Sequence, residues 1–121
     1  MFKESFFTIK KIEKAEEHYL VSIIFDPLHD IFTGHFPERK VVPGVMLMQM
    51  VKETAQEILN IKDSLLREAG MKFLNPVLVD ESNEMELELR IEKLDNDSCK
   101  IRSVGKDREK KSFKIDIILT K

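Results

Sequence analysis

Two of the three histidines, His29 and His35, fall in one segment between Leu28 and Val42. An imidazole titrates near neutral pH, so either ring could take or give a proton. His35 lies between Gly34, which permits backbone shapes other residues resist, and Phe36-Pro37, where the proline pushes Phe36 extended. His29 beside Asp30 could be a base with its orienting carboxylate, although a surface turn is the plainer reading. The segment runs straight into Val41-Val42-Pro43-Gly44, where a helix opens without Ser, Thr, Asp or Asn to cap it. The first N–H groups of such a helix lack partners and could receive a carbonyl oxygen or a developing oxyanion. Many helix starts bind only water, so this feature alone assigns nothing. Gln49 and Glu53 follow one turn apart, on one helix face. A carboxylic acid can donate a proton, whereas an amide only orients by hydrogen bonds.

The elements that must hold these residues are legible from periodicity. Val45, Met48, Val51, Ala55, Ile58 and Leu59 recur at helical spacing behind Pro43 and Gly44. The turns Val45-Met46-Leu47-Met48 are apolar on all sides, which predicts a helix start buried all round. Lys52, Glu53, Glu57 and Lys62 then bring the far end toward water. Before the helix, Phe6 to Ile12 and Tyr19 to Phe25 read as strands, the second closed by Asp26-Pro27. After it, Asn60 to Ala69 reads as a polar connection and Met71 to Leu74 as a short strand. Met85, Leu87, Leu89 and Ile91 alternate with charged residues from Glu84 to Glu92, the period of a half-buried strand. Asp95-Asn96-Asp97-Ser98 is a turn, Cys99, Ile101 and Ser103 mark the next strand, and Lys106 to Lys111 reads as a charged loop. Phe113, Ile115, Ile117 and Leu119 form one face of a last strand. The order is β-β-loop-helix-β-β-β-β, an α+β layout with an antiparallel meander at its end.

The chain has 121 residues, 42% hydrophobic and 35% charged, which suits one domain over residues 1–121. A net charge of −2 supplies no field to hold nucleic acid, and the absence of Trp disfavours a stacking surface. The longest stretch free of polar side chains, Val41 to Met48, is far short of the roughly 20 residues a membrane helix needs. The N-terminus has no signal-peptide core, so a soluble, cytoplasmic protein is expected. Cys99 is the single cysteine, which excludes an intrachain disulfide and a cysteine-based metal cluster and fits packing within its strand.

Gly34-His35-Phe36-Pro37, followed after a short gap by Pro43-Gly44-Val45, resembles the signature of the 3-hydroxyacyl-acyl-carrier-protein dehydratases. Met71-Lys72-Phe73-Leu74-Asn75-Pro76-Val77 is similar to that family's short strand and its Phe-x-x-Pro-Val end. The resemblance runs from about Tyr19 onward. It implies a hot-dog fold, a curved antiparallel sheet around one long central helix. It also implies pairing of two protomers, with sheets joined edge to edge and the active site at their interface. The substrate would be a 3-hydroxyacyl chain on the phosphopantetheine arm of an acyl carrier protein. His35 would match the catalytic histidine. Gly44 and Val45 would bind the thioester carbonyl through backbone N–H groups, with Phe36 and Pro43 beside them. No metal or organic cofactor is implied.

The family carries a carboxylate on the central helix where this chain has Gln49, and Glu53 stands one turn later. The two residue types look exchanged. His35 could therefore both take the alpha proton and return it to the hydroxyl while Gln49 holds that hydroxyl. Alternatively, Glu53 replaces the missing acid. In a third reading dehydration is lost, and the chain hydrolyses acyl thioesters or serves as a non-catalytic partner in a mixed pair. Arg39 and Lys40 would be solvated or would steer an acidic carrier protein. Acyl length stays open, as does the choice between fatty acids and aryl-polyene-type pigments.

Overall fold

The computed structural model describes residues 6–32, 40–79 and 83–121. Strands β1 (Phe7–Lys14) and β2 (Tyr19–Phe25) lead through a single 3-10 turn, Asp30–Phe32, to the helix α1 (Gly44–Leu59). Four strands follow: β3 (Leu65–Phe73), β4 (Glu84–Lys93), β5 (Ser98–Asp107) and β6 (Lys110–Thr120). All pair antiparallel in one sheet with the order β1-β2-β4-β5-β6-β3.

The alternating residues build the core. Val21, Ile23 and Phe25 of β2, Met85, Leu87 and Leu89 of β4, Ile101 of β5 and the odd-numbered residues 113–119 of β6 are all buried. They share one cluster with Leu47, Met50, Val51 and Ala55 of α1, so the sheet holds the helix against its inner face. Burying each such aliphatic or aromatic side chain contributes about 1.5–3 kcal/mol. Ser103, on the same inner row, satisfies its hydroxyl by donating to the Ile115 carbonyl at 2.7 Å. The helix ends at Asn60, whose left-handed backbone (φ 55°) Asn tolerates, with its N–H on the Glu57 carbonyl. No helix among the described residues is long and apolar enough to cross a membrane.

Several boundaries differ from the expectation. β3 begins at Leu65, not Met71, so the second half of the supposed polar connection is strand. Its first half lacks a period of two because a bulge falls between Leu66 and Glu68 and nearly every side chain is exposed. Pairing with β6, rather than burial, makes it a strand. Lys106 to Lys111 is not a loop: β5 and β6 run on to Asp107 and from Lys110, joined at Arg108-Glu109 with Arg108 at φ 60°. The buried face of α1 is Leu47, Met50, Val51, Thr54 and Ala55. Val45 is 68% exposed, so the helix start is not covered on all sides within one chain. Glu53, expected to point to water, is buried.

Candidate active site

The start of α1 is fixed from outside the helix. The Val42 N–H donates to the Val77 carbonyl at 3.0 Å and the Val79 N–H to the Lys40 carbonyl at 2.9 Å, around a bridge between Val41 and Leu78. The N–H groups of Leu74 and Asn75 both donate to the Ser112 carbonyl, and the Asn75 side chain donates to the Lys111 carbonyl. The segment after β3 is therefore tied to the sheet on one side and to the entry of the helix on the other.

Pro43 is the N-cap, with extended backbone and no side-chain cap, as its sequence requires. Its carbonyl takes the N–H groups of Met46 and Leu47. The N–H groups of Gly44 and Val45 have no hydrogen-bond partner among the described residues. They open beside a cavity of about 440 Å3 lined by Val41, Pro43, Gly44, Leu47, Phe73 and Val77, among others. Gly44 is needed there for close approach: a Cβ at this position would lie 2.5 Å from Cζ of Phe73. An apolar slot ending on unpaired amides can hold an acyl chain and polarise a carbonyl at its head.

Further along α1, Gln49 Nε2 donates to Glu53 Oε2 at 2.9 Å, and Glu53 is 4% exposed. Both line a second, more polar hollow of about 340 Å3, with Lys52, Gln56, Lys62 and Ser64. Gln56 Nε2 donates to Ser64 Oγ at 2.8 Å, which anchors the chain leaving the helix. Thr54, the neighbour of Glu53, is fully buried, and its hydroxyl has no hydrogen-bond partner among the described residues.

His35 and Phe36 lie outside the described residues. His29 follows a turn in which the Leu28 N–H donates to Asp26 Oδ1 and the His29 N–H to the Asp26 carbonyl. Its ring meets Phe6 edge-on at 6.1 Å, while Asp30 is exposed, an arrangement that suits a packed turn. Lys40 is not simply solvated, because its Nζ donates to the Pro27 carbonyl at 2.8 Å. Cys99 is half-buried against the core. Sequence reasoning did not single out Leu47 and Phe73 as lining the slot. Their signal was the Phe73-to-Val77 stretch, whose contact with the helix start depends on folding.

Residues 11–113 match the profile of the ApeI-like family, described as ApeI dehydratase. No curated protein sequence matches the chain. Among solved structures, the dehydratase heterocomplex ApeI:P from Xenorhabdus doucetiae is similar at 22% identity and a TM-score of 0.71, over 94% of this chain and 97% of that one. An HP0420 homologue from Helicobacter felis matches at 20% identity and TM-score 0.64, over 92% of this chain and 77% of that one. A hypothetical thioesterase with coenzyme A from Streptococcus pneumoniae TIGR4 matches at 10% identity and TM-score 0.67, over 97% and 88%. These likenesses share one fold: an antiparallel six-stranded sheet with a single helix against it, the hot-dog arrangement.

Proposed function

This chain belongs to the ApeI-like dehydratase family, and we propose that it removes water from a 3-hydroxyacyl thioester presented on the phosphopantetheine arm of an acyl carrier protein. The observation that carries this reading is the uncapped start of α1 opening on an apolar slot. The acyl chain lies in the slot, and the Gly44 and Val45 N–H groups receive the thioester oxygen. Pro43 and Phe36 border the bound chain. His35 takes the proton alpha to the carbonyl, and charge gathers on the oxygen facing the helix start. The imidazolium returns that proton to the 3-hydroxyl, the C–O bond breaks, and water leaves on the same face. The double bond forms between the carbons that lost the proton and the hydroxyl.

Gln49 orients the hydroxyl. One N–H of its amide goes to Glu53, and its carbonyl oxygen accepts from the substrate hydroxyl. Glu53 thereby acts through Gln49. Two copies join sheet edge to edge, and each offers Gln49 and Glu53 to the other's His35. A second reading has support in the buried Glu53 carboxylate on the central helix: an acyl-thioester hydrolase in which that carboxylate activates water.

The test is purified protein with a 3-hydroxyacyl thioester, read by mass spectrometry and free-thiol release. Loss of 18 mass units (one water) without free thiol supports dehydration, and His35→Ala should abolish it. Free thiol with an unchanged acyl group would replace this reading with hydrolysis. Binding without either product would leave a non-catalytic partner of a mixed pair.

A further inference from the structure

His35 lies between Pro27 and Lys40 in the chain, and those two residues are anchored to different parts of the fold. On the Pro27 side, the Asp26 N–H donates to the Phe6 carbonyl at 2.8 Å and the Phe25 N–H to the Asn83 carbonyl at 2.7 Å, so Pro27 hangs from the end of β2. On the other side, the Val79 N–H donates to the Lys40 carbonyl at 2.9 Å and the Val42 N–H to the Val77 carbonyl at 3.0 Å. Lys40 is thereby fixed to the frame that holds the start of α1. One bond joins the two anchors directly: Lys40 Nζ donates to the Pro27 carbonyl at 2.8 Å, across thirteen positions of sequence. Both residues are half-buried. Among the described residues no carboxylate pairs with Lys40, so its charge goes to a main-chain oxygen. A lysine usually keeps its ammonium in water, and ordering the side chain costs rotamer freedom. A charged donor makes the bond stronger than a neutral pair would.

We infer that Lys40 is a positioning residue for dehydration: its ammonium clamps the two ends of the His35 segment and references that segment to the amides of Gly44 and Val45. This rests on the reading of His35 as the base. His35 stands eight positions after Pro27 and five before Lys40. An extended chain covers about 3.3–3.6 Å per residue, so five residues held at one end alone can carry the ring more than about 15 Å away. A base must come within about 3 Å of the proton it takes. Holding both ends at a fixed separation removes most of that freedom before substrate arrives. A misplacement of about 1 Å can lower a rate about a hundredfold, so a modest loosening is expected to show in turnover. The clamp touches neither the slot nor the helix amides, so binding of the acyl chain does not depend on it.

Lys40→Met keeps the aliphatic stem and removes the donor. In the full-length protein it should lower kcat for a 3-hydroxyacyl thioester about tenfold or more and leave KM within about threefold. The melting point should stay within about 2 °C of the parent. Lys40→Arg retains a charged donor and should recover most of kcat. In a Cys99→Ser background, Lys40→Cys alkylated with bromoethylamine rebuilds an ammonium of similar reach and should recover it as well. Hydrogen exchange reads the clamp without catalysis: the Leu28 and Phe32 amides should exchange about tenfold faster in Lys40→Met, with those of β4 and β5 unchanged. An unchanged kcat, a loss that neither replacement restores, or unchanged exchange at Leu28 and Phe32 overturns the inference. A melting point that falls in step with kcat assigns Lys40 to folding and overturns it too. A parent that releases no water from the thioester overturns the catalytic role together with the reading of His35, and exchange at Leu28 and Phe32 then decides the clamp separately.

Discussion

The Gln49 amide nitrogen donates to the Glu53 carboxylate at 2.9 Å, and that carboxylate is almost fully buried. One turn of helix thus joins a side-chain amide to a buried carboxylate. Direction matters in this pair: the amide gives and the carboxylate accepts.

Exchanging the two residues should preserve the pair. Gln49→Glu alone sets two carboxylates against each other and should cost about 1–3 kcal/mol in a denaturant melt. Adding Glu53→Gln restores one donor and one acceptor, and stability should return to within about 1 kcal/mol of the parent. Glu53→Gln alone should slow dehydration less than tenfold, because Gln49 stays in place. Gln49→Ala should slow it more than tenfold, an approximate scale for losing a positioning contact. Complete loss of turnover in Glu53→Gln would move the acid role to Glu53 itself.

Gly44→Ala should act on substrate binding more than on folding. The added methyl group meets the tip of the Phe73 ring, and that ring is exposed enough to swing aside. Stability should change by less than about 1 kcal/mol, while the displaced ring narrows the slot. KM for an acyl thioester should rise several-fold with a smaller change in kcat. An unchanged KM would place the acyl chain elsewhere.

Gly105→Ala should show the opposite balance. A Cβ at this position would lie 2.2 Å from the Phe113 ring, and that ring is fully buried with no room to retreat. Overpacking of this kind costs about 1–3 kcal/mol. The check is the denaturant midpoint, with activity retained under native conditions. A neutral result would mean that β5 shifts to accommodate the methyl group.

The strands β2, β4, β5 and β6 and the helix start were legible in the sequence because each buries one face and exposes the other. Alternation therefore reports their position directly. β3 was legible only at its C-terminal end. Its first residues are exposed on both faces in one chain, and no burial pattern marks them. Glu53 was misread for a related reason. Its neighbours Lys52 and Glu57 reach water, so composition placed it with them, while tertiary packing closed over it. The uncapped helix start was readable from Val41 to Gly44, but the slot beside it was not. Its far wall comes from residues 73–77, which only the pairing of β3 with β6 brings there.

Asp95 should make stability depend on pH at the acid end. Its Oδ1 accepts the N–H groups of Asp97 and Ser98, each at 2.8 Å. The Asp97 N–H is the main cause that holds this carboxyl below its ordinary 3.8, and loss of hydration, the next largest effect, opposes it. The Ser98 groups and the charge of Arg67 lower it further. A pKa depressed by folding means the ionised form is favoured in the native state. The stabilisation is therefore present above the unfolded value near 3.8 and is lost as pH falls through the lower, folded value. Asp95→Asn should melt below the parent at pH 5–7 (about neutral to mildly acid), and the gap should close on acidification. A gap that stays constant with pH would assign the effect to shape, not charge.

Thr54 offers the opposite case, a buried polar atom that the described residues leave without compensation. It lies in the buried face of α1, and its hydroxyl has no hydrogen-bond partner among the described residues. A buried hydroxyl in that condition costs about 1–3 kcal/mol relative to a satisfied one. Valine has nearly the same outline and the same branching at Cβ, so Thr54→Val changes helix preference little. The substitution should raise stability by about 1 kcal/mol, seen as a melting point several degrees higher. Destabilisation instead would show that the buried hydroxyl is satisfied within the folded chain.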